Sequence, residues 1–270
     1  MELPKELIEA ARKGNLVPFI GAGFPKNLGM PLWKDLVPYI GKELGFDPPD
    51  LIAELGDALQ VAEYYTTSMK DEGPLYLMLA NLLRVPPPEI GDWRAYEQLL
   101  DLNPKLIYTT NFDVSIETFY TRKGQPIHSV SKIEHLLDQP SKMPILVHFH
   151  GDVRYQGTVV LCESHYLNRL ELESPLDIKF RSDLLQNTFV FLGYGYSDFN
   201  VRYVWHKLQT HLSPHRSKYA ESLNSYFVTN RNNEVFETIM RPKGMQSIYV
   251  PVHRIEDTIP TFLKTVIDAL

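Results

Sequence analysis

The spacing of apolar residues along this chain switches repeatedly between two periods, and the switches mark its elements. Compact apolar runs rich in β-branched and aromatic residues stand at 16–20, 106–109, 145–149, 188–192, 225–228 and 247–250. Runs of that length without polar alternation predict strands buried on both faces, as in a parallel sheet. Helical spacing fills 4–13, with Leu7, Ile8 and Ala11 on the buried side, and returns at 198–211, 233–240 and 255–269. Strands alternating with helices predict an α/β fold with a doubly wound, mainly parallel sheet. Pro18 lies inside the first run and has no N–H to give a ladder, so an unpaired edge is expected near it. Residues 48–101 carry helical spacing broken by Pro and Gly, with no strand among them. They predict a helical lobe inserted into a single domain whose core is about 1–47 and 102–270. The segment 154–187 is a second excursion, mostly helical after Glu163.

Composition narrows the class. A chain of 270 residues, 44% hydrophobic, is ample for one large domain or a domain with an inserted lobe. A net charge of −6 gives no electrostatic case for binding nucleic acid directly. No apolar run approaches the length of a membrane span, and the first helix mixes acids and bases where a signal peptide would be apolar. The single cysteine, Cys162, rules out an internal disulfide or a cysteine-based zinc cluster within one chain. A reducing, cytoplasmic setting is expected.

Candidate chemistry collects where strands end. The first run enters Gly21-Ala22-Gly23, and strand–Gly-x-Gly–helix is the arrangement that turns backbone N–H groups toward a pyrophosphate. The spacing to Gly29 is not G-x-G-x-x-G, and the acid expected on a second strand is missing, which argues against an ordinary dehydrogenase. Such a turn also simply closes a tight corner. The second run ends in YTTNFD, where Asn111 and Asp113 share a side if the chain stays extended; Asp113 is equally placed to cap the helix that follows. The third ends in VHFHGD. Among nine histidines, His150 stands out because Gly151 follows it at a strand end, where a turn exposes an imidazole of near-neutral pKa. His148, His150 and Asp152 also alternate, so a metal-binding face is a rival reading; the string H-F-H-G-D resembles that of metallo-β-lactamase-like hydrolases, but Val153 stands where that family has another His. Farther on, Gly193-Tyr194 ends a buried strand, Asp198 follows, and Asn230 ends the next strand.

Taken together, these motifs resemble the SIR2 (sirtuin) superfamily. GAGF through Gly29-Met30-Pro31-Leu32-Trp33 is similar to the family's GAGxS followed by G-I-P and an aromatic. YTTNFD resembles the T-T-N-F-D of bacterial SIR2-like proteins, and His150-Gly151 matches the family's His-Gly pair. The resemblance implies a Rossmann-like core that binds NAD+ as substrate. It places Gly21, Ala22, Gly23, Phe24, Trp33, Gly193, Tyr194, Asp198 and Asn230 against the dinucleotide, with Asn111, Asp113 and His150 at the reacting ribose. Trp33 reads equally as a core aromatic, and Asp198 as a helix cap. Pro25 and Gly195 stand where the family has serines, so two hydroxyl contacts are absent.

The family's deacetylases carry two Cys-x-x-C pairs around a structural zinc, which one cysteine forbids; a helical lobe without a zinc module and no metal is implied. Bacterial relatives of that kind hydrolyse NAD+ to nicotinamide and ADP-ribose as effectors of anti-phage defence. Deacylation, ADP-ribosyl transfer and non-catalytic sensing of NAD+ or ADP-ribose are the alternatives. Because core and lobe take up nearly all of the chain, control is expected from self-assembly into a homo-oligomer, from a separate activating protein such as a HerA-type ATPase or another defence subunit, or from both.

Overall fold

The computed structural model describes residues 1–138, 142–169, 174–194, 202–203, 205–207 and 225–270, with the backbone alone at Trp33 and Lys34. Seven strands form one sheet: β1 (Leu16–Ile20), β2 (Leu106–Thr109), β3 (His128–Val130), β4 (Ile145–His148), β5 (Thr188–Leu192), β6 (Ser225–Thr229) and β7 (Met245–Tyr249). Every pairing is parallel and the order is β3-β4-β2-β1-β5-β6-β7. The chain fills one side of β1 with β2, then the edge strand β3, then β4 between them, and crosses to β5 to build the other side, so the order reverses around β1. In open α/β sheets the crevice outside the carboxyl ends at such a reversal is where ligands bind. The fold is the α/β, Rossmann-like one expected.

Strand side chains alternate between the two faces, and the sequence sorts them. Leu16, Ile20, Ile107, Leu146, Val190 and Leu192 pack on one face with Leu7 from α1 (Lys5–Lys13) and Phe262 and Leu263 near the C-terminus. Val17, Phe19, Tyr108, Val147, Phe189 and Phe191 pack on the other. That second face is dominated by rings: Phe19 lies 5.0 Å from Phe191 and 5.6 Å from Phe180, centroid to centroid. Each such ring contributes about 1.5–3 kcal/mol by leaving water.

Pro18 behaves as its missing N–H dictates. The Gly21 N–H bonds to Leu192 of β5, so by alternation Pro18 faces β2. β1 pairs with β5 along its whole length but with β2 only at Phe19 and Ile20. The short edge strand β3 was not expected; pairing on one side only, it needs no continuous apolar run. The helix expected at 198–211 lies mostly outside the described residues, of which 202–203 and 205–207 are helical.

The helices around residues 37–102 divide between two hydrophobic clusters. Leu36, Val37 and Ile40, the last two in α2 (Val37–Glu43), pack with Val61, Ala62 and Tyr65 of α3 (Ala58–Met69) and Leu75 and Leu79 of α4 (Gly73–Leu82). Val159, Leu161 and Cys162 complete that cluster. By contrast α5 (Arg94–Leu102) places Ala95, Tyr96 and Leu99 in the sheet core. Helical spacing reveals an apolar face but not what that face packs against, which is why α5 reads as lobe in the sequence.

Candidate functional site

At the carboxyl end of β1 the chain turns through Gly21-Ala22-Gly23 and meets the turn after β5. Gly23 N–H donates to Gly193 O at 2.7 Å, and Phe24 N–H closes back onto Gly21 O at 2.9 Å. The turns touch backbone to backbone: a Cβ on Gly21 would lie 2.7 Å from Gly193 O, and one on Gly23 2.8 Å from it. Gly193 itself has φ +64°, a conformation open mainly to glycine. These glycines are therefore required by close packing of two loops. Several of the turn's N–H groups are consumed there, so Ala22 N–H is the one left by these bonds to meet a phosphate.

The loop after β2 delivers Asn111 and Asp113. Thr109 Oγ1 donates to Ile20 O at 3.0 Å and accepts from Asn111 N–H at 3.0 Å. Asn111 Nδ2 donates to Gly21 O at 3.1 Å, which leaves its Oδ1 to accept from a ligand. Asp113 is buried, and its Oδ1 accepts from Ser115 N–H at 2.9 Å at the start of α6 (Ser115–Arg122). Asp113 thus holds the first N–H of α6 from one residue before the N-cap, Val114, and the same residue lines the cavity. Burial pushes the Asp113 carboxyl up, and the bond from Ser115 opposes that push.

β4 ends at His148, and alternation ends with it. Gly151 takes φ +79°, so His150 turns to the cavity while His148 and Asp152 turn beneath it. His150 Nδ1 lies 3.3 Å from the Tyr166 hydroxyl of α8 (Glu163–Asn168, α7 being Glu134–Leu137), and its ring stacks on Phe149. His148 Nε2 lies 3.0 Å from Glu117 Oε1. Arg154 donates to Glu117 at 2.6 Å and to Asp152 at 2.8 Å, and Ser131 donates to Asp152. The metal face of the rival reading, shared by His148, His150 and Asp152, is not formed. The strand stops too early, and the Glu117–His148–Asp152 cluster is closed by a guanidinium. Burial raises both carboxyls, but His148 and Arg154 outweigh it and hold Glu117 and Asp152 below the usual range.

These loops enclose a cavity of about 1100 Å³. Ala22, Gly23, Asn111, Asp113, His150, Gly193, Tyr194 and Asn230 all line it. Phe24 does not: its ring is buried against Tyr96, 4.7 Å between centroids, in the sheet core. Trp33 opens a 3₁₀ turn, Trp33–Leu36, and its side chain lies outside the described part, as does Asp198. The reading of motifs missed Tyr166, which no motif contains, and the cations Lys26, Arg202 and Arg231 on the wall. These residues are far apart along the chain, and nothing in their spacing joins them.

The family model of the SIR2-like domain matches residues 105–248. The chain belongs to the SIR2-like family. The match takes in Asn111, Asp113, His150, Gly193, Tyr194 and Asn230, and the Gly21–Gly23 turn precedes it. Defense-associated sirtuin 2 of Bacillus subtilis is 29% identical over 204 residues, which are 74% of this chain and 20% of that protein. NAD(+) hydrolase ThsA of Cytobacillus dafuensis is 26% identical over 208 residues, 77% of this chain and 40% of that protein. NAD(+) hydrolase ThsA of Acinetobacter baumannii (strain 532279) is 23% identical over 217 residues, 79% and 43% respectively. The chain thus spans less than half the length of these relatives.

Proposed function

We propose that this SIR2-like chain hydrolyses NAD+ to nicotinamide and ADP-ribose. The observation that carries the reading is convergence: Asn111, Asp113 and His150, from the ends of β2 and β4, meet at one cavity beside the β1/β5 reversal. Lys26, Arg202 and Arg231 on its wall suit the two phosphates of a dinucleotide. The names borne by the relatives support the same substrate.

Asn111 Oδ1 accepts from a water and holds it at the open face of the nicotinamide ribose. His150, donating from Nδ1 to the Tyr166 hydroxyl, presents Nε2 as the proton acceptor. The C1′–N bond breaks with its electron pair passing to the nicotinamide ring, whose positive charge is thereby neutralised. Water oxygen bonds to C1′ and its proton goes to His150, then to solvent. Asp113 holds the start of α6 and presents its buried carboxyl to the carboxamide.

In this reading the protein is a defence effector that depletes NAD+ in the cytoplasm when activated. Its control comes from a homo-oligomer or a separate activating protein, which light scattering and co-purification test. Among the described residues no helix is long and apolar enough to cross a membrane.

The deciding experiment is nicotinamide release from NAD+, with and without an acetylated peptide, by wild type, Asn111→Ala and His150→Ala. Peptide-independent release lost in both variants is expected. Release that requires the peptide replaces hydrolysis with deacylation, and NAD+ binding without turnover, in any oligomeric state, replaces it with sensing.

A further inference from the structure

His148 is buried beneath Asn111 and takes no part in the chemistry above. Both of its ring nitrogens face acceptors: Nδ1 lies 3.1 Å from the Asn111 carbonyl, and Nε2 lies 3.0 Å from Glu117 Oε1. A backbone carbonyl cannot donate, nor can a carboxylate, and a neutral imidazole carries one proton for the two contacts. We propose that His148 is held as an imidazolium donating from both nitrogens, and that it acts as a positioning residue, clamping the Asn111 loop to Glu117. The clamp's purpose rests on the hydrolase reading; its protonation state does not.

The surroundings support the charge. The other way to satisfy both contacts is a protonated Glu117. But Glu117 Oε1 also accepts from Arg154 at 2.6 Å and from the Ser129 hydroxyl at 2.9 Å, and a guanidinium so close keeps a carboxylate ionised. The groups facing His148 are Glu117 from α6, Asp152 and Arg154 from the loop after β4, and Asp113 from the loop after β2. Glu117 and Asp152 alone, set against one guanidinium, leave a negative charge unless His148 is positive, an ionised Asp113 would add to it, and unbalanced buried charge is costly. Burial by itself disfavours a charged His148, yet the Glu117 carboxylate overcomes it and raises the imidazole above its ordinary value.

The geometry also explains how the clamp reaches the site. Asn111 is fixed at three points, by its N–H to Thr109 Oγ1, by Nδ2 to Gly21 O and by its own carbonyl to His148. Release of the carbonyl frees the peptide to rotate and carries the amide away from the water it must hold.

Nitrogen-15 labelling of the histidine rings reads the protonation state without any substrate. At about pH 7.5 one ring with both nitrogens protonated is expected in wild type and missing from His148→Gln. A bare nitrogen on His148 overturns the proposal whatever the protein does to NAD+. If His148→Gln does not fold, Glu117→Gln provides the assignment, because losing the carboxylate charge lowers the proton affinity of that one ring and changes its signals. In turnover, His148→Gln is expected to lower kcat about 10²-fold, the scale of a displaced catalytic group, with KM within about threefold. Glu117→Gln is expected to add a falling limb to kcat above neutrality; a profile parallel to wild type overturns the positioning role. A wild type that releases no nicotinamide removes the hydrolase reading and leaves the imidazolium to be judged by its spectrum alone.

Discussion

The two halves of the sheet's carboxyl edge are built by opposite means. Between β1 and β5, loops meet through backbone: Gly23 donates to Gly193, and a Cβ on Gly193 would lie 2.4 Å from Phe24 N. Between β2 and β4, they meet through side chains, with Glu117, His148 and Asp152 buried, Arg154 closing the cluster from the solvent side, and Ser129 and Ser131 bonded into it. The first half works only where side chains are absent, the second only where they are charged. Closeness of backbone is insensitive to pH and intolerant of any substitution. A charge cluster tolerates shape changes better but depends on proton occupancy. Asn111, bonded to Gly21 on one side and His148 on the other, is where the two constructions join.

The largest expected effect falls on neither construction but on the proposed base. His150→Gln should lower nicotinamide release by about 10²–10⁴-fold, the usual contribution of a positioned base, measured as kcat with the melting temperature recorded in parallel. Full activity in a folded His150→Gln protein would move the base elsewhere. Next comes the backbone half. Gly193→Ala must place a side chain at φ +64°, into another loop's main chain, and should cost about 3 kcal/mol by urea unfolding, equally at every pH. The charge half is tested by Arg154→Ala. Removing one partner of a buried pair costs about 3–5 kcal/mol, but Arg154 is 38% exposed, so solvent screening reduces the expected loss to about 2 kcal/mol.

That last deficit should depend on pH with a definite sign. Glu117 and Asp152 have pKa values held below the usual range in the folded protein. Their stabilisation is therefore complete above the ordinary carboxylate values of about 4 and is lost as pH falls through the lowered ones. Arg154→Ala weakens that depression, so its deficit should be full at neutral pH and shrink below about pH 4, while that of Gly193→Ala stays level. Parallel curves for the two variants would dissolve the distinction between the halves.

The distinction also marks what could be read from the chain. The backbone half announces itself, because only glycine serves where loops touch, and Gly21, Gly23 and Gly193 each follow an apolar run. The sheet was legible for a similar reason: runs such as LVPFI and TFVFL are buried on both faces. The charge half was not legible. Glu117 sits on a helix, Ser129 and Ser131 on and just after an edge strand, and Arg154 in a loop, and nothing in spacing joins them. Even adjacency misled at H-F-H, where alternation put His148 and His150 on one side and a strand end put them on two. Phe24 shows the converse case, since it lies inside the motif while its ring belongs to the core.

Thr109 offers the smallest and sharpest test, because it couples the halves with a single hydroxyl. Its Oγ1 donates to Ile20 O at the end of β1 and accepts from Asn111 N–H, and the residue is 1% exposed. Thr109→Val keeps the shape and removes both bonds, leaving a part-buried N–H unanswered, for an expected loss of about 1–2 kcal/mol. Thr109→Ser restores the hydroxyl and should recover most of it. The informative quantity is the coupling. Gly193→Ala and Arg154→Ala perturb separate halves, so their costs should add within about 0.5 kcal/mol, whereas either one combined with Thr109→Val should deviate by more than that. Strict additivity in all three double mutants would mean that the hydroxyl does not join the halves, and that Asn111 is fixed by its own two bonds alone.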